Sequence, residues 1–71
     1  MNNYYTLFVY DTENRAWHNE FGDYSRESIV EEIDSSYYYT KKKHIKIIKN
    51  DGSKESMFAA IAKLNKESIN A

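Results

Sequence analysis

His18 and His44 are the first residues to weigh for chemistry, because imidazole titrates near neutral pH and is the commonest metal ligand. Glu20, two positions beyond His18, adds one carboxylate on the same strand face. Two neighbouring ligands and one remote histidine fall short of the convergent set that a metal ion requires. The chain has no cysteine, which removes thiolate ligands, a thiol nucleophile and any disulfide framework. Its two glycines stand alone at turns, so there is no Gly-rich phosphate loop, and no serine sits in a strained strand-to-helix motif. Glu27, Glu31, Glu32 and Asp34 fall on one helix face, where solvation is the ordinary role of a carboxylate. The expectation is no catalytic residue, no metal site and no cofactor.

Two kinds of binding chemistry remain. Lys41, Lys42, Lys43, Lys46 and Lys49 form a basic stretch beside the aromatic residues Phe8 and Tyr10. Bases can stack on exposed rings while lysines meet phosphates, so single-stranded nucleic acid is one candidate ligand. Against it stands a net charge of −1 with only two arginines. The charge is divided, too. Residues 1–36 carry eight carboxylates against two arginines, and residues 37–71 carry eight lysines against three carboxylates. Such polarity can orient a docking or self-association event.

The elements that must position these groups can be read from hydropathy. Tyr4 to Tyr10 is apolar at odd and even positions alike, apart from Thr6, which marks a strand covered on both faces or flanked on both edges. Asp11 to Arg15 is a polar turn. A three-residue loop of Thr12, Glu13 and Asn14 pairs Tyr10 with Ala16, Val9 with Trp17 and Leu7 with Asn19. A two- or four-residue loop would swap the faces of the second strand, Ala16 to Phe21. The three-residue loop is favoured because it gathers Leu7, Val9, Trp17 and Phe21 on one side. Ser25 can cap a helix in which Ile29, Val30, Ile33 and Tyr37 recur at helical spacing, ending near Asp34–Ser36. Alternation from Lys41 to Lys49 predicts a lysine-flanked third strand. Ser53 can cap a last helix with Met57, Phe58, Ile61, Ala62 and Leu64 as its stripe, and residues 66–71 are expected to fray.

The expected fold is a single α+β domain over residues 1–71, ordered β-β-α-β-α. A three-stranded antiparallel sheet in the order 2-1-3 would carry both helices on the Leu7 face. The opposite face would stay open and present Tyr4, Phe8, Tyr10, His18, His44, Lys46 and Ile48. An apolar patch of that kind implies a cover, either a protein partner or a second copy of the chain.

The segments Trp17–Ser25 and Ile45–Ser53 resemble those of small uncharacterised accessory proteins encoded by bacteriophages. That resemblance implies a compact, cofactor-free protein that binds a host or viral macromolecule, and it assigns no residue a role. The composition, 41% hydrophobic and 30% charged, suits a folded domain. No apolar run approaches the roughly 20 residues that span a bilayer, and Met1–Tyr4 lacks the basic start of a secretory signal. The expected setting is the cytoplasm, that of the host if the protein is viral. The sequence therefore points to a non-enzymatic protein-interaction module, with single-stranded nucleic-acid binding as the alternative.

Overall fold

Leu7 and Phe8 are adjacent on one strand, point to opposite faces of the sheet, and are both fully buried. The computed structural model describes residues 3–70, and the side chains of residues 3–67. Strand β1 (Tyr4–Asp11) is followed by β2 (Ala16–Asp23), helix α1 (Arg26–Ser36), a 3-10 turn (Lys42–His44), β3 (Ile45–Asn50) and helix α2 (Lys54–Asn70). The sheet order is β2-β1-β3, and β1 is antiparallel to both neighbours. The α+β class, the element order and the central place of β1 are those expected from the sequence. Because β2 and β3 each oppose β1, they are parallel to one another, and α1 carries the crossover between them.

The hairpin register differs from the favoured one by a residue. Tyr10 pairs with Trp17 and Asp11 with Ala16, so the loop is the four residues Thr12–Arg15. Asp11 explains this. Its Oδ1 accepts the backbone N–H of Glu13 (2.9 Å) and Asn14 (3.3 Å), and its Oδ2 accepts Asn14 Nδ2 at 2.6 Å. An Asx-type turn of this kind carries the chain one residue further, and Arg15 rather than Asn14 takes the left-handed conformation (φ 52°). Trp17 thereby moves to the face of Phe8 and Tyr10. Phe8 pairs with Asn19, but Leu7 pairs with Phe21, leaving Glu20 as an extra residue in a β-bulge. The bulge returns Phe21 to the Leu7 face, where the sequence had placed it.

Both faces are covered. On one, Phe8, Trp17 and Leu64 of α2 form a buried cluster, joined by Tyr10, Ile48, Met57, Ala60 and Ile61. On the other, Leu7 is fully buried beside its partners Phe21 and Ile47, and α1, which packs on β1 and β2, brings the fully buried Ile29 to that side. The expected placement of both helices on the Leu7 face is therefore corrected. The continuous apolar run of β1 is a record of double coverage, with one helix per side. Trp17 is buried as expected, but under α2 (6% exposed). Asn65 of α2 ties the two together, its Oδ1 accepting the Trp17 backbone N–H at 2.7 Å.

Local capping follows the sequence. Ser25 Oγ accepts Ser28 N–H (3.4 Å) at the start of α1, and Ser53 Oγ accepts Ser56 N–H (3.1 Å) at the start of α2. Before α2, Gly52 takes a φ of +84°, and Asp51 Oδ1 accepts from Ser53 N–H (2.9 Å) and Ser56 Oγ–H (2.8 Å). The Ser53 backbone bond first, then the Ser53 and Ser56 hydroxyls, hold the Asp51 carboxyl down to about 2. The α2 stripe is Met57, Ala60, Ile61 and Leu64 at spacing i, i+3, i+4, i+7, which leaves Phe58 (61% exposed) and Ala62 outside it. Val30 is likewise exposed on α1. The third strand begins at Ile45, so Lys41–Lys43 belong to the connection before it. Helix α2 continues through Lys66 to Asn70, and Ala71, the end of the segment expected to fray, lies outside the described residues.

Candidate functional site

With both sheet faces occupied, the expected open aromatic face does not exist. Tyr4, Phe8, Tyr10, Lys46 and Ile48 share a face as expected, but α2 covers it, while His18 lies on the other face and His44 in the turn before β3. Phe8 is core, and Ile48 packs against the same cluster. Tyr4 lies across Gly22, where an added Cβ would collide with its ring, and meets Tyr24 edge-on at 4.9 Å. Lys46 is exposed, with Nζ 5.6 Å from the Trp17 ring centroid. His18 pairs with Val9 and so projects from the α1 face, 3.7 Å from Asp11 Oδ2. Tyr10 also meets His44, with ring centroids 5.3 Å apart.

The basic stretch is divided as well. Lys46 pairs with Phe8 and Lys49 with Tyr5, so the two lie on opposite faces of the sheet. Lys41, Lys42 and Lys43 are exposed in the connection ahead of β3. The predicted nucleic-acid stripe of five lysines beside sheet aromatics is therefore not assembled. A shorter basic segment remains, adjoining a different pair of rings.

Those rings belong to the α1–β3 connection. Tyr37 N–H closes onto Ile33 O (2.9 Å) at the end of α1, and Thr40 N–H onto Tyr37 O (2.9 Å), a tight turn that turns Tyr37 inward. Tyr38 and Tyr39 are left 77% and 75% exposed, edge to face at 5.6 Å. Between this connection and the β1–β2 hairpin lies an open groove of about 720 Å³. Its inner part is Val9 and Tyr10. One side is Asp11, Thr12, Glu13 and Glu20, and the other is Tyr37, Tyr39, Thr40, Lys41 and His44.

The electrostatics of the groove are set by the hairpin side. Asp11 is held below the usual carboxylate range, first by its hydrogen bond from Asn14 and also by the nearby His18. Glu20, re-aimed by the bulge, hydrogen-bonds the Tyr37 hydroxyl. Burial first, then the charges of Glu20 and Glu32, push the Tyr37 phenol above its ordinary value. Three carboxylates thus face one ammonium, Lys41, across aromatic walls.

Sequence reasoning missed Tyr37, Tyr39, Glu13 and Glu20 as members of a site. The available signal was the run of three tyrosines between a helix and a strand, of which geometry lets only one turn inward. Among the described residues, no group of three or more His, Cys, Asp or Glu is placed to hold a metal ion, and no helix is long and apolar enough to cross a membrane. Comparison with known proteins found no matching family model, no matching curated protein and no matching solved structure.

Proposed function

We propose that the protein is a non-enzymatic interaction module whose contact surface is the α1–β3 connection and the groove it borders. The observation that carries this reading is the exposure of Tyr39, which lines that groove, and of Tyr38, whose ring meets that of Tyr39 edge to face. Two large rings held in water beside a concavity are what a protein contact uses, since tyrosine buries a large area with few rotors to immobilise. The role is that of a small accessory protein acting on a macromolecule of its host. A second reading has its own support. Lys41, Lys42 and Lys43 are exposed directly after the two tyrosines, which suits single-stranded nucleic acid.

Tyr38→Ser with Tyr39→Ser decides between them. The variant keeps the wild-type circular dichroism spectrum, because neither ring is buried. Wild-type protein retains a lysate partner after nuclease treatment, and the double variant does not. Equal capture by both proteins overturns the assignment of the surface. Capture that nuclease abolishes transfers the function to the second reading.

A further inference from the structure

The groove has a chemical preference that its shape alone does not convey. Aromatic faces are negative at their centres, and Tyr10, Tyr37 and Tyr39 bring three rings to it. Asp11, Glu13 and Glu20 add three carboxylates against the single ammonium of Lys41. Glu20 is there because it is the unpaired bulge residue, while its neighbours Asn19 and Phe21 are fixed by pairing with β1.

Elimination narrows the occupant. An anion would meet three like charges. An apolar group would strip water from carboxylates and leave them unpaired. A metal ion would need three or more convergent ligands, and no such group exists among the described residues. A cation with an extended, partly apolar surface satisfies both the rings and the carboxylates. The Tyr37 phenol is made harder to ionise by burial first and then by Glu20 and Glu32, which agrees with a negative field at this place.

We propose that the groove binds the guanidinium or ammonium side chain of a basic peptide segment on a protein partner, with the tyrosine rings as walls and Glu13 and Glu20 as counter-charges. The proposal rests on the interaction-module reading and gives that module its ligand class. The groove, at about 720 Å³, is larger than one side chain, so residues flanking the cation also find room.

The test uses the full chain and three fluorescein-labelled probes at low salt: an octapeptide alternating Arg and Gly, one alternating Glu and Gly, and an eight-residue oligothymidylate. The Arg peptide binds and the other two do not. Glu13→Gln with Glu20→Gln weakens it about tenfold, and Tyr39→Ser by about three- to tenfold. Glu27→Gln with Glu31→Gln, on the outer face of α1, leaves it unchanged. No binding of the Arg peptide, equal losses in the two Gln pairs, or preferred binding of the oligothymidylate each overturns the proposal. So does sedimentation in which wild-type protein self-associates without peptide and the Glu13/Glu20 variant does not, since the cation then comes from a second copy. Lysate capture keeps the two readings separate. Capture that needs Tyr38 and Tyr39 but survives Glu13→Gln with Glu20→Gln leaves the module standing and removes the cation site.

Discussion

Trp17 and Phe21 lie four residues apart on β2, yet they enter opposite faces of the sheet, because Glu20 is inserted between the pairs Phe8–Asn19 and Leu7–Phe21. In a regular strand both would share a face. Each face instead receives one large aromatic from β2, and each is closed by its own helix. Deleting Glu20 should leave Asn19 and Phe21 paired with Phe8 and Leu7 in a regular strand. Each face then keeps its aromatic, and the stability read from the urea midpoint changes by about 1 kcal/mol or less. A loss on the order of 3 kcal/mol or more would show that the bulge residue itself, and not the pairing on either side of it, holds the two faces.

Trp17→Ala should cost on the order of 3–5 kcal/mol, and Phe8→Ala a similar amount. A domain of this length has little more than that in reserve. Phe8→Ser with Tyr10→Ser, harmless had the face been open, should abolish the cooperative thermal transition.

Gly22 is required by Tyr4, whose ring occupies the place of a Cβ. Gly22→Ala should destabilise the protein by about 1–3 kcal/mol. In a Tyr4→Ala background the same change should cost little, and a double-mutant cycle measures the difference. Equal costs in the two backgrounds would mean that Tyr4 is not what excludes a side chain there.

Asp51 gives a pH signature at the start of α2. Its folded pKa is about 2, depressed from the ordinary 3.8, so its contribution is fully present above the unfolded value and lost as pH falls through the folded one. Wild type should therefore be more stable than Asp51→Asn at pH 5, with the gap closing between about pH 4 and pH 2. A gap that is constant across that range would sink this account.

Tyr37 gives the opposite signature. Its phenol is raised by burial and by Glu20, so it should ionise after the exposed tyrosines. Tyr37→Phe should remove the most alkaline part of the ultraviolet titration, and Glu20→Gln should shift that part downward.

The elements were legible because each rests on local signals: the turn residues at Asp11–Arg15 and Asn50–Gly52, the capping serines Ser25 and Ser53, and the apolar run of β1. The helix faces were less so. Phe58 and Val30 sit one position from the true stripe, and hydropathy alone does not separate adjacent apolar residues on a helix. The register was lost at Asp11, whose side-chain bonds lengthen the loop by one residue, and no composition rule marks Glu20 as a bulge. Those two single-residue events decide which face Trp17 joins, and with it whether a sheet face is open. The groove was hidden for the same reason, since its walls come from the loop and the bulge that the register conceals.

The pairing of Asn65 with Trp17 also bears on how copies of this chain could meet. On β2, one outer-edge donor is already committed to α2 and the bulge breaks the repeat further along, so this edge offers no regular template for another strand. The edge of β3 is regular, with Lys46 and Lys49 as its guards. Strand addition is thus confined to one side of the sheet, and two copies joined β3 to β3 would present only blocked ends. Any sheet extension through β3 would therefore stop at two copies.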